Sequence, residues 1–158
     1  MLGSITITGT RATGHHPDQW YETVFTTYVA PFSTPRAHFF VGGAKGIDSL
    51  ALSWLAAHTR SAVTVVVPVT VEEQPEEAQQ AMAQCRSRIT EIVELRAPGL
   101  HAAAYHARNR WMVDRSELTI GFPLDGPDDA SGRTGKTGTW QTLDYTASLS
   151  KPRLIVPV

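Results

Sequence analysis

Short apolar, β-branched runs alternate along the chain with stretches whose apolar positions recur at helical spacing. Ser4 to Thr8 (SITIT) alternates strictly and predicts a first strand, broken by Gly9-Thr10. Tyr21, Val24, Phe25, Tyr28 and Val29 follow the i, i+3, i+4, i+7 rhythm, so a helix is expected from an N-cap at Asp18 to about Ala30, where Pro31 ends it. Ala37 to Val41 (AHFFV) predicts a second strand stopped by Gly42-Gly43, and Ile47, Leu50, Ala51, Trp54, Leu55 and His58 mark the helix behind it. Ala62 to Val67 (AVTVVV) is continuously apolar, as in a parallel strand buried on both faces. A helix from Glu72 to about Ile89 would align Ala78, Ala81, Met82, Cys85 and Ile89, with acidic residues at its positive dipole end. A short strand at Glu91 to Leu95 comes next, then a helix from about His101 to Arg115 and a strand at Leu118 to Phe122 (LTIGF). Pro123 to Lys136 reads as a loop, Thr139 to Ser148 as a helix and Arg153 to Val158 as a last strand.

This order, βαβαβα(β)αβαβ, predicts an α/β fold: a Rossmann-like three-layer sandwich with a mostly parallel sheet, in a single domain over residues 1–158. Ligands of such sheets bind beyond the carboxyl ends of the strands. Three glycine-containing loops fall there: Gly9 to Gly14, Gly42 to Gly46 and Gly132 to Gly138.

Composition narrows the partners. Fourteen Lys and Arg stand against 15 Asp and Glu, a formal charge of −1, which excludes a protein that coats nucleic acid by bulk electrostatics and leaves only local patches. A lone cysteine, Cys85, allows no internal disulfide and reads as core on its apolar stripe. The start MLGSITITGT lacks a secretory pattern, and the apolar stretch from Ala62 to Val69 is too short to cross a bilayer. A cytoplasmic protein with no membrane partner is expected.

The loops carry the candidate chemistry. In the first, Thr10 and Arg11 follow a tight turn at Gly9 and offer a hydroxyl and a guanidinium to a phosphate or carboxylate, against the plainer reading of a solvated turn. In the second, Gly42, Gly43 and Lys45 precede a helix N-terminus, where backbone amides favour an anion. Asp48 in that first helical turn is placed to cap exposed amides or to accept bonds from a ribose. The third, ASGRTGKT from Ala130 to Thr137, satisfies only a relaxed Walker A pattern. The final strand after it holds no acid for magnesium, so a P-loop NTPase is rejected. Arg108 falls on the apolar stripe of its helix with Ala104, Trp111 and Met112; a buried guanidinium requires a partner, either an anionic ligand or a structural acid such as Asp48, Asp114 or Glu117. Arg110 is expected to face solvent. No two histidines have the spacing of a helical zinc site, no G-x-S-x-G elbow occurs, and no metal or cofactor is expected.

The ordered set TGTR, GGAKGIDSLA, ARNRWMV, GFP and a glycine/threonine loop before a helix resembles the SLOG superfamily over nearly the whole chain. That group includes the DNA-processing protein DprA, the LOG phosphoribohydrolases and the small YspA-like proteins. GGAKGID is similar to the G-x-A-x-G-[IA]-D segment of DprA and YspA-like members, and RNRWM to the R-N-x-x-M helix of the group. The resemblance implies a Rossmann-like sheet binding a nucleotide or nucleotide-derived ligand, and often a homodimer. It points to Gly9, Thr10 and Arg11, to Gly42, Gly43, Lys45 and Asp48, to Arg108 and Asn109, and to Gly135, Thr137, Gly138 and Thr139.

Departures from the family bear on activity. LOG enzymes carry P-G-G-x-G-T-x-x-E; here Thr142 stands at the closing glutamate, and Lys136 replaces the second glycine. A hydroxyl cannot serve as the carboxylate base at neutral pH, so binding or sensing of a phosphate-bearing nucleotide derivative is expected ahead of turnover. An N-glycosidase or nucleotide hydrolase using another acid, such as Asp48, is an alternative. So is DprA-like single-stranded DNA binding through a patch of Arg108, Arg110, Arg115, Arg133 and Lys136, placed second because few aromatics are left for base stacking. The insertion from Leu124 to Arg133 is placed to act as a lid.

Overall fold

The computed structural model describes residues 3–124 and 137–158. Among them the strands are β1 (Ser4–Gly9), β2 (His38–Gly42), β3 (Ala62–Val67), β4 (Glu91–Glu94), β5 (Leu118–Phe122) and β6 (Arg153–Ile155). The helices are α1 (Asp18–Tyr28), α2 (Ile47–His58), α3 (Glu76–Gln84), α4 (Ala102–Asp114) and α5 (Gly138–Ser148), with 3₁₀ turns at Ala30–Phe32, Val71–Glu73 and Arg86–Arg88. The strands pair in the order β4-β3-β2-β1-β5-β6, every pairing parallel. The fold is a Rossmann-like α/β sandwich, and its sheet is parallel throughout rather than mostly so.

The two faces of the sheet differ in chemistry. Ile5, Ile7, Phe39, Val41, Val63, Val65, Leu118 and Ile120 form one core with Tyr21 and Phe25 of α1, Leu52 and Leu55 of α2 and Met82 of α3. Each such side chain contributes about 1.5–3 kcal/mol by leaving water. The alternate positions face α4 and α5 and are rich in hydroxyls. Thr6 Oγ1 lies 2.6 Å from Ser116 Oγ, and Thr146 Oγ1 donates to Thr119 Oγ1 at 2.9 Å. Burial without this pairing would be costly for each hydroxyl. Gly121 lets α5 approach closely, since a Cβ there would lie 2.7 Å from Leu143.

Four boundaries depart from the sequence expectation. Pro17, not Asp18, occupies the N-cap of α1, with Asp18 in the first turn as a favourable charge. α1 ends at Tyr28, before Pro31, which sits in the 3₁₀ turn. The expected helix from Glu72 to Ile89 is broken into turn, helix and turn, because Pro75 disfavours the helical region for Gln74 and becomes the N-cap of α3. β6 stops at Ile155; Val156 and Val158 still donate to Gly121 O and Pro123 O, but Pro157 has no N–H to continue a ladder. Cys85 is buried in the main core.

Candidate functional site

The strand order reverses at β1, whose neighbours β2 and β5 lead to opposite edges of the sheet. Beyond the carboxyl ends of β1 and β5 lies a cavity of about 600 Å³. Its walls are the loop after β1 (Thr8 to Ala12), Ala44 and Asp48 before and in α2, one side of α4, Leu124, and the N-terminus of α5 (Thr137 to Thr139).

Close backbone contacts build the floor. Ile47 N donates to Thr10 O, and Thr10 N donates to Phe122 O, both at 3.0 Å, so the loop after β1 ties α2 to β5. Thr10 Oγ1 accepts from Ala12 N at 3.0 Å and holds the turn that presents Arg11. Gly46 has φ +77°, and a Cβ there would meet Arg11 Cα and Thr10 O at 2.6 Å, so this crossing of two backbones requires glycine. A Cβ on Gly42 would fall on Arg108 and Asp48. That glycine is the bed on which the ion pair lies.

Arg108 is 4% exposed and its fork is engaged with protein. Nη1 donates to Val66 O at 3.2 Å, Nε donates to Asn109 Oδ1 at 2.7 Å, and Nη2 lies 3.9 Å from Asp48 Oδ2. Asp48 also accepts from Ala44 N at 3.3 Å. Burial pushes the Asp48 carboxyl above the usual carboxylate range, while Arg108, the Ala44 amide and Arg11 pull against it. Burial likewise pulls the Arg108 guanidinium below its usual value, opposed chiefly by Asp48. The structural partner of Arg108 is therefore Asp48, not Asp114 or Glu117.

Above this pair the cavity is cationic and aromatic. The Arg11 guanidinium sits 4.3 Å from the Tyr105 ring centroid, and Arg108 lies 5.6 Å from the same ring, so two guanidinium groups share one π-system. Opposite, Thr137 caps α5 by accepting from Trp140 N at 3.4 Å, and the α5 N-terminus with its positive dipole end opens into the cavity.

The sequence candidates divide accordingly. Gly9, Thr10, Arg11, Asp48, Arg108, Asn109, Thr137, Gly138 and Thr139 line the cavity together. Gly42 lies behind Arg108, Gly43 packs on Val67 and Met82, and Lys45 is exposed away from the cavity lining. Gly135, Arg133, Lys136 and most of the expected lid lie outside the described residues. Tyr105, His101 and His106 were not singled out from the sequence. Their signal lies in the spacing: His101 at the N-cap of α4, and Tyr105 and Arg108 within it, fall at i, i+4 and i+7. Thr142, at the position of the LOG glutamate, is buried and donates from Oγ1 to Gly138 O at 2.8 Å. Among the described residues no cluster of three or more His, Cys, Asp or Glu could hold a metal, and no helix is long and apolar enough to cross a membrane.

No family model matches the chain, and no curated protein matches it. Solved structures do. DNA processing protein A (DprA) from Streptococcus pneumoniae superposes with a TM-score of 0.70 at 16% identity, over 99% of this chain and 50% of that one. DprA from Helicobacter pylori, described for its single-stranded DNA binding mode, superposes with a TM-score of 0.67 at 18% identity, over 99% of this chain and 66% of that one. This is a DprA-like Rossmannoid fold. The chain thus spans half to about two thirds of the DprA chains it matches, and the likeness to DprA at these identities concerns the fold.

Proposed function

We propose that the cavity binds the phosphate of a nucleotide or nucleotide-derived ligand and acts by binding or sensing rather than by turnover. The observation that carries this reading is the coincidence, at the reversal of strand order, of a cavity of about 600 Å³ with an exposed guanidinium and a helix N-terminus. That volume lies within the roughly 300–1,000 Å³ of small-molecule sites. Arg11 would pair with the phosphate and the α5 amides would receive it, while Tyr105 offers an apolar edge to the sugar or base. Against turnover, the carboxylate among the described lining residues is Asp48, which is already committed to Arg108 and Ala44 N.

A second reading, single-stranded DNA binding, is favoured by the fold shared with H. pylori DprA. Both readings place a nucleotide phosphate in the same cavity. The SLOG resemblance adds a homodimer as the expected state in solution, which sedimentation velocity would contradict by showing only a 17.2 kDa species.

Arg11→Ala tests the site, because Arg11 is exposed and its loss leaves the buried framework intact. In a thermal-shift titration with deoxynucleoside 5′-monophosphates, the wild-type protein should be stabilised by mass action. The variant should melt at the same temperature without ligand and need about tenfold more ligand for the same shift, as expected for losing one charge-assisted bond. An identical response from both proteins would remove the phosphate from this cavity.

A further inference from the structure

The two ends of the sheet carry opposite charge on the side of α3. At the amino ends of β2, β3 and β4, the preceding loops supply Arg36, Arg60, Arg86 and Arg88 and no acidic residue. Side chains tie these loops together: Ser61 Oγ donates to Thr34 O at 2.7 Å, and Arg88 Nη2 donates to Thr59 O at 3.0 Å and to Ser61 O at 3.2 Å. The nearest acid in sequence, Glu91, opens β4 on the α4 face, since the next residue, Ile92, packs against the main core. Beyond the carboxyl end of β3, the turn before α3 and the first turn of α3 supply Glu72, Glu73, Glu76 and Glu77, and no Lys or Arg occurs from Pro68 to Cys85. Arg36, Arg60, Arg86, Glu72, Glu73 and Glu76 are all exposed, and among the described residues none of them forms an ion pair.

We infer that a second copy of this chain docks head to tail, the basic end of one copy against the acidic end of the next. Helix α3 connects β3 to the parallel strand β4 beside it, so it runs back along the sheet. Its acidic start lies at one end, and Arg86 and Arg88 follow its finish at the other. A shift along the strand axis, without rotation, therefore sets one patch against the other. The same two patches meet at every step, so the contact is heterologous and grows beyond a pair instead of closing as a two-fold dimer does. A net charge of −1 leaves little overall repulsion between copies. The four glutamates lie outside the cavity lining, so the docking surface is separate from the candidate ligand site.

Sedimentation velocity over a concentration series tests this, with wild type, a basic-end variant (Arg60→Glu with Arg86→Glu) and an acidic-end variant (Glu72→Lys with Glu73→Lys). The four positions are exposed, so both variants should melt with the wild type. At roughly 0.01 M salt, where charges act over about 30 Å, wild type should form species larger than a dimer that grow with concentration. At about 1 M salt, where that reach falls to about 3 Å, the growth should vanish. Each variant alone should stop at a monomer or a closed dimer. Their equimolar mixture should sediment faster than either, because the intact acidic end of one meets the intact basic end of the other. Growth that survives high salt, a variant that grows alone as the wild type does, or a mixture that stays apart overturns the docking. So does a wild type that never passes the dimer; a polyglutamate peptide that then bound wild type and not the basic-end variant would give the basic end to another acidic protein.

Discussion

Arg108 and Asp48 show how one residue pair can be legible in kind and misleading in role. The sequence marks Arg108 as a guanidinium on an apolar stripe that must have a partner, and names Asp48 among three acids. It does not show that the missing side chain of Gly42 leaves the room the pair occupies, or that Val66 O and Asn109 complete the fork. Arg108→Met is expected to cost about 3–5 kcal/mol at neutral pH, because it strands a buried carboxylate. A carboxyl whose folded pKa is raised contributes fully below its unfolded value and loses that contribution as pH rises through the folded value. The Arg108→Met variant should therefore regain stability as the pH falls and Asp48 takes up a proton, and adding Asp48→Asn should abolish that recovery. Urea unfolding at pH 5 and pH 8 decides it: an equal deficit at both would mean Asp48 does not feel Arg108. At Gly46 the expectation is simpler. Gly46→Ala should cost about 3 kcal/mol, since its φ is positive and its Cβ would strike the loop after β1. Gly138→Ala, where a Cβ meets nothing within 4 Å, should be neutral or slightly stabilising.

Elements were easier to read than their ends. Strands β1 to β5 and helix α2 follow directly from runs and periodicity, since β-branched runs and an i, i+3, i+4 rhythm decide element type locally. The failures sit at prolines. Pro75 was invisible to a count of apolar positions, because the stripe from Ala78 to Ile89 stays in register with a helix although the backbone breaks on either side of α3. Only the conformational restriction on Gln74 reveals the break. In the second glycine loop the amides of Ala44, Gly46 and Ile47 donate to Asp48, Glu77 and Thr10, a pairing the spacing of glycines does not show. The α5 N-terminus faces the cavity, as does the α4 N-terminus at His101 and Ala102, and at α5 Thr137 separates two roles. Thr137→Asp keeps a good cap and adds a favourable charge at the helix start, so the melting temperature should hold or rise. The same charge would repel a bound phosphate and lower nucleotide affinity about tenfold. Opposite signs in a melting curve and a binding curve are the signature; unchanged affinity would show that no phosphate sits at this helix.

At the scale of the whole molecule, a net charge of −1 and a cationic cavity are complementary facts. The sheet places its apolar face under α1 to α3 and its hydroxyl-rich face under α4 and α5, and the cavity opens where that polar layer reaches the carboxyl ends of β1 and β5. The parallel order was legible from the alternation of elements, but the asymmetry of the faces was not, since SITIT and LTIGF do not say which helices cover the threonines. With no overall positive field, nucleic acid would be held, among the described residues of the cavity, by the phosphates that touch Arg11 and the α5 N-terminus. Each phosphate neutralised on a single strand contributes about −0.7 to the slope of log K against log salt. Oligonucleotide binding between 50 and 200 mM salt should therefore show a slope of about −0.7 to −1.4, one or two phosphates, and should stop strengthening beyond a few nucleotides. A slope steeper than about −3 would require a cationic track far larger than these residues supply. The other basic residues of the sequence, Arg133 and Lys136 among them, would then have to explain the affinity.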